Sequence, residues 1–200
     1  MSSLVETVEM AAEPIALFRQ WLSEAEALEP SDPNALALAT ATPDGTPSVR
    51  MVLLKGLDDR GFAFYTNAES RKGLELAENP RAAMCFHWKS LGRQVRIEGL
   101  VSDLPGGEVD AYFHSRSRSS QIGAVASRQS RRLASRELLE ERVELVQKQY
   151  PGRVARPDFW CGYVLWPQRI EFWINGADRL HDRFLFIRQE NKWLKTRLYP

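Results

Sequence analysis

The chain has 200 residues, enough for one domain with a substantial core. Its 44% hydrophobic and 26% charged content is ordinary for a soluble globular protein, and a net charge of +1 argues against nucleic acid as a partner. Cys85 and Cys161 stand far apart and form no CxxC, so neither a disulfide framework nor a zinc site is expected, and Cys85 reads as a small buried hydrophobe. The first residues carry Glu6, Glu9 and Glu13 and no basic run, which argues against a signal peptide. No apolar run approaches membrane-spanning length. The expected location is the cytoplasm.

Residues 1–13 have no clear period and are expected to form a flexible arm; residues 14–200 read as a single domain. Pro14 opens a helix whose apolar stripe, Leu17, Trp21 and Leu28, runs to about Leu28. Ala35–Thr42 reads as a buried strand and Pro43-Asp44-Gly45 as a hairpin turn. Ser48–Lys55 and Phe62–Thr66 are the next strands, joined by a polar loop. Ser70 caps a helix to about Glu78, and strands follow at Ala82–Trp88 and Gln94–Val101. Helices are expected over Gly106–Ser115 and Arg131–Tyr150. Four short strands close the chain, at Gly162–Trp166, Arg169–Ile174, Arg183–Arg188 and Trp193–Leu198. Many short strands around tight turns, with a few helices, imply a mainly β protein, a β-barrel with peripheral helices.

Three stretches carry chemistry. At Ser70-Arg71-Lys72-Gly73 two cations sit at a helix N-terminus, where they oppose the macrodipole; a bound phosphate reverses that sign. An exposed, slightly suboptimal helix start is the plain alternative. Arg50-Met51-Val52-Leu53-Leu54-Lys55 is an apolar strand with a cation at each end, and a regular strand sends positions 50 and 55 to opposite faces. It also fits a core strand with solvated ends. In Ile170–Arg183, Ile170, Phe172 and Ile174 alternate with Glu171 and Trp173, and Asn175-Gly176 signals a hairpin turn. If the return is extended, Arg179, His181 and Arg183 share one face over roughly 13 Å, a set suited to a flat anionic ligand. A solvated hairpin fits the same local pattern. GxGxxG, P-loop, HExxH and GxSxG motifs are absent, and His87, His114 and His181 lack metal-ligand spacing.

The order of residues in Ile170–Arg183, with Arg50–Lys55, Tyr65-Thr66, Ser70–Gly73, Gln94 and Tyr112–Gly123, resembles the pyridoxamine 5′-phosphate oxidase family from about Pro14 to Pro200. The resemblance implies an FMN-binding split β-barrel and a homodimer with FMN at the interface. It implies oxidation of pyridoxamine 5′-phosphate or pyridoxine 5′-phosphate to pyridoxal 5′-phosphate, with O2 as acceptor. By the same resemblance, Arg50, Met51, Val52, Leu53, Leu54 and Lys55 lie along FMN. Arg71 and Lys72 hold its phosphate, Tyr65 and Thr66 touch the flavin, and Gln94 hydrogen-bonds it. Gln129 and Ser130 reach it from the second subunit, and Trp173 and Arg183 complete the pocket. Lys55, Tyr112, Arg116 and Ser120 hold the substrate phosphate. Arg179 and His181, with Leu180 between them, hold the substrate ring and are the expected catalytic pair.

The chain departs from the family pattern at Ser117, Val125 and Cys161, where proline, tryptophan and glycine are usual. It also lacks the Arg-x-x-Tyr that some members use as a lid, so no lid role passes to residues 1–13. Two rivals stay open: a related flavoprotein oxidase, such as the phenazine-pathway branch, and a non-catalytic FMN or pyridoxal-phosphate carrier.

Overall fold

The computed structural model describes residues 3–190 and 192–200. Among the described residues nine antiparallel strands form one sheet, ordered β2-β1-β5-β6-β7-β4-β3, with β8 paired to β7 and β9 to β8. The strands are β1 (Ala35–Ala41), β2 (Pro47–Leu53), β3 (Gly56–Asp58), β4 (Gly61–Asn67), β5 (Arg81–Trp88), β6 (Arg93–Asp103), β7 (Trp160–Ile174), β8 (Asp182–Gln189) and β9 (Lys192–Leu198). Six α-helices of the described residues surround them: α1 (Leu4–Met10), α2 (Pro14–Leu28), α3 (Arg71–Glu78), α4 (Gly106–Ser115), α5 (Arg118–Ala126) and α6 (Arg136–Gln149).

Strand β7 ties the sheet together, pairing with three other strands. The two strands expected at 162–166 and 169–174 are one 15-residue strand. Its first part pairs β4, its second part pairs β8, and β6 pairs along both. The register with β6 slips between Glu98 and Gly99, opposite Pro167, because proline cannot donate to the ladder and a bulge absorbs it. A Cβ at Gly99 would lie 1.9 Å from the Trp166 carbonyl oxygen, so the bend requires glycine there.

Helix α2 seals the main core. Pro14, Leu17, Phe18, Trp21 and Ala25 are buried at helical spacing, whereas Leu28, expected on the stripe, is exposed because it stands at the last turn. Phe18 meets Phe62 and Phe86 edge-on, each at 4.9 Å, and Trp21 meets Phe172 at 5.0 Å. Burying a side chain such as Phe18 contributes roughly 1.5–3 kcal/mol.

Several expectations change. Where a mobile arm is expected, residues 4–10 form a helix closed by a Ser3–Glu6 capping box, with Val8 fully buried; Met1 and Ser2 lie outside the described residues. Lys195 Nζ donates to the Val8 and Ala11 carbonyls at 3.1 and 2.9 Å, tying the end of this helix to β9. The strand expected to reach Lys55 stops at Leu53, and a short strand, β3, precedes β4. The helix expected from Arg131 starts at Arg136, where Ser135 caps it, and Arg118–Ala126 forms a helix of its own. Ser117 caps that helix, accepting from Ser120 N at 3.3 Å, so the residue standing where proline is usual has a local role. Cys85 is half-buried, not enclosed.

Candidate functional site

A cavity of about 690 Å3 opens between β2, β4, α3, α5 and the loop that follows α5. Arg50, Lys55, Arg71, Lys72 and Arg116 line it, and no carboxylate does. Five cations gathered with no acid among the described lining residues, in a chain of net charge +1, make this wall locally electropositive.

One end is built on α3. Ser70 accepts from Gly73 N, so the helix starts where the sequence predicts. Gly73 itself must be glycine, since a Cβ would meet the Ala68 carbonyl oxygen at 2.2 Å. Lys72 turns inward and is only 6% exposed. Its Nζ donates to Gln129 Oε1 at 2.9 Å and to Thr66 Oγ1 and Ser70 Oγ, both at 3.1 Å. These partners carry no charge. Burial, with Arg50 nearby, lowers the Lys72 ammonium to about 8. Arg50 and Arg71 both bond to the buried carboxylate of Glu75.

The other end is aromatic. Tyr65 stacks on Tyr112 at 3.9 Å and on Trp160 at 5.5 Å. The Arg116 guanidinium lies over the Trp160 ring at 5.1 Å, and its Nη1 is buried without a hydrogen-bond partner. Burial disfavours the Arg116 cation, and pushes the Tyr65 and Tyr112 phenols up. A half-buried cation with a buried, unmet donor is what an incoming anion satisfies. Trp160 lines the cavity and supports Arg116, a role that sequence reasoning missed; its only signal was the Trp-Cys-Gly triplet.

Gln129 and Ser130, expected from a second subunit, line the cavity of their own chain. Thr66 also donates to Gln129 at 3.2 Å. Ser130 takes a positive φ of 69°, part of the turn that brings this loop to the cavity. The opposite-face argument for Arg50 and Lys55 lapses, because the strand ends between them and both line the cavity. Met51, Val52 and Leu53 line it too, while the Leu54 side chain is buried in the core. Ser120 is exposed and bonds to Ser117 Oγ at 2.8 Å. Cys161 sits in β7 without a positive φ and contacts the Thr66 carbonyl, so glycine is not required there.

The remaining candidates gather elsewhere. Gln94 pairs with Trp173, and Trp173 with Arg183, so the three form one row across β6, β7 and β8. Arg183 and Arg96 both bond to the buried Glu171. Arg179 and His181 follow β7, but their segment is not the extended return expected from Asn175-Gly176. Residues 177–179 form a 3-10 turn in which Asp178 and Arg179 have φ of 53° and 63°. Gly176 permits this turn; a Cβ there would lie 2.0 Å from the Leu180 carbonyl oxygen. His181 packs on Trp173 at 4.5 Å, and its Nδ1 accepts from Gly176 N at 3.2 Å, while Leu180 is exposed. Neither this row nor this loop lines the 690 Å3 cavity.

Two family models match the chain in succession. Residues 22–150 match the family model described as pyridoxamine 5′-phosphate oxidase. Residues 160–200 match that of the pyridoxine 5′-phosphate oxidase C-terminal dimerisation region. The chain is 56% identical over 197 residues to the pyridoxine/pyridoxamine 5′-phosphate oxidase of Gluconobacter oxydans, covering 98% of each chain. It is also 56% identical to that of Sphingopyxis alaskensis, over 98% of this chain and 91% of that one. Among solved structures, PhzG from Burkholderia lata, in complex with tetrahydrophenazine-1-carboxylic acid, superposes with a TM-score of 0.93. It shares 37% identity over 100% of this chain and 98% of that one. An FMN-binding protein from Nostoc punctiforme, described as pyridoxamine 5′-phosphate oxidase-related, superposes with a TM-score of 0.75 at 18% identity, a likeness of fold, over 96% of this chain and 100% of that one. With matching models over both parts and relatives at this identity across its length, the chain belongs to the pyridoxamine 5′-phosphate oxidase family.

Proposed function

We propose that this chain is an FMN-dependent oxidase that converts pyridoxamine 5′-phosphate or pyridoxine 5′-phosphate to pyridoxal 5′-phosphate, as a homodimer. The observation that carries the reading is the cavity with five cations and no carboxylate, which suits two phosphate-bearing ligands side by side. The donors present fit FMN. Lys72 is buried among neutral oxygens at a helix N-terminus, where a phosphate would supply its missing counter-charge. When bound, FMN takes two electrons from the substrate and passes them to O2, which leaves as H2O2. In the net change the substrate C4′ alcohol loses two hydrogens to become the aldehyde; the C4′ amine loses two hydrogens to become an imine, which takes up one water and releases ammonia to give the same aldehyde.

The chain's own residues bind and orient. Arg50, Arg71 and Lys72 hold the cofactor phosphate, beside Tyr65, Thr66, Gln129 and Ser130. Lys55, Tyr112, Arg116 and Ser120 hold the substrate phosphate; Ser120 reaches it once its Ser117 bond opens. Gln94, Trp173 and Arg183 complete the cofactor pocket, and Arg179 and His181 hold the substrate ring. These last five stand away from the cavity, and a second copy supplies them, consistent with the match of residues 160–200 to a dimerisation region. Because His181 Nδ1 accepts from Gly176, the neutral ring carries its proton on Nε2 and presents a donor there.

A related oxidase with a non-phosphorylated carboxylate substrate is the second reading, favoured by the likeness to PhzG. The unmet Arg116 donor beside Tyr112 and Lys55 weighs toward a phosphate instead. Visible spectra of the purified protein before and after anaerobic pyridoxine 5′-phosphate test the choice. Bleaching of the flavin band is expected. A persistent oxidised spectrum sinks the reading.

A further inference from the structure

Behind the cavity wall lies a carboxylate to which no role has been given. Glu75 sits on the second turn of α3 and its side chain is 4% exposed. Its Oε1 accepts from Arg71 Nε at 2.8 Å, and its Oε2 from Arg50 Nη2 at 3.3 Å. Oε2 also accepts from Thr40 Oγ1 and Ser48 Oγ, each at 2.5 Å. The same two hydroxyls face Arg50: Nη1 lies 2.5 Å from Thr40 Oγ1, Nη2 bonds to Ser48 Oγ, and Nη1 also reaches the Leu38 carbonyl at 3.2 Å. One buried carboxylate thus joins the two guanidiniums that come to the cavity from different elements, β2 and α3.

We infer that Glu75 is a positioning residue: it fixes Arg50 and Arg71 in the orientation that recognises the cofactor phosphate. This rests on the FMN reading above. Coulomb's law alone gives Glu75 the wrong sign, since an anion close to a phosphate repels it. Its presence behind the wall is explained if the geometry it imposes on two long, rotamer-rich side chains outweighs that repulsion. Burial raises the Glu75 carboxyl, but the hydrogen bonds from Ser48, Thr40, Arg71 and Arg50 bring it to about 2, so it stays an anion at any working pH.

The opposite sign makes the test decisive. Apoprotein is titrated with FMN and, separately, with riboflavin, which lacks the phosphate, by quenching of flavin fluorescence; thermal melting is recorded alongside. In Glu75→Gln the preference for FMN over riboflavin should fall at least fivefold while riboflavin affinity stays within twofold. Glu75→Asp keeps the charge but withdraws the carboxylate by one methylene, so it cannot span both guanidiniums, and its preference should fall as well. It decides the matter should Glu75→Gln not fold. Tighter or unchanged FMN binding in these variants overturns the inference, as does an equal loss for both flavins, which marks a purely structural role. A parent protein that does not distinguish FMN from riboflavin overturns the cofactor reading and this inference with it.

Discussion

Lys72 shows how one residue's surroundings set a measurable pH dependence. Its ammonium is drawn inward by three neutral oxygens, and burial is the larger reason that it titrates near 8. The FMN phosphate is already close to a dianion above pH 7. A bound dianion stabilises the charged form, so the ammonium titrates higher in the complex than in the apoprotein. FMN affinity should therefore hold steady between about pH 7 and 8 and weaken above that, by roughly tenfold at pH 9. Titrations at several pH values check this, with Lys72→Met as the control that should bind more weakly throughout and lose the pH dependence. A flat profile in the parent would separate Lys72 from the phosphate. Arg116 illustrates the complementary case. Its charge is fixed, and what it lacks is a hydrogen-bond partner for Nη1, so its contribution depends on ligand geometry more than on pH.

At the scale of elements, the turn between β7 and β8 is the informative one. Asn175-Gly176 suggests a two-residue hairpin, yet the connection runs from 175 to 181. Asn175 N is engaged by the Gly92 carbonyl at 2.8 Å, and Gly176 N by His181, so the backbone groups that would close a tight hairpin are used otherwise. The result places Arg179 at positive φ beside a histidine of defined tautomer. Gly176→Ala would press a Cβ to 2.0 Å from the Leu180 carbonyl oxygen and force the turn to open. Turnover should suffer more than cofactor retention: kcat/KM lower by at least tenfold, about 1.4 kcal/mol, with FMN affinity within twofold. Steady-state kinetics on the FMN-loaded variant provide the measurement, and parental kcat/KM would refute a role for this turn.

At the scale of the molecule, the cofactor candidates divide between a cavity on β2, β4 and α3 and a row on β6, β7 and β8. Strand β2 also leaves Val49 and Met51 68% and 67% exposed, with Leu53 on the same face. An apolar face at the rim of a ligand cavity fits coverage by a second copy. The expected particle has about twice the 22.9 kDa of one chain. Val49→Asp should shift it toward monomer and weaken FMN binding together, read by light scattering and flavin titration. A monomeric variant with full flavin occupancy would show that one chain suffices.

What the sequence determined by itself is the set of local decisions. Pro14 and Ser70 start α2 and α3 at the expected residues, α4 spans its expected range, and alternation around Phe172 marks a strand with Ile170, Phe172 and Ile174 in the core. These follow from capping, backbone sterics and side-chain period, which act over a few residues. The family was legible too, because its motifs carry their order within the chain. Only the tertiary structure decided that β7 runs unbroken past Pro167, that Glu75 faces Arg50 across 25 residues, and that Trp160 supports Arg116. It alone placed Gln129 against Lys72 of the same chain and kept Gln94, Trp173 and Arg183 away from them. Each of these depends on which segments the folded sheet brings together, and residues far apart in sequence leave no periodic trace of that pairing.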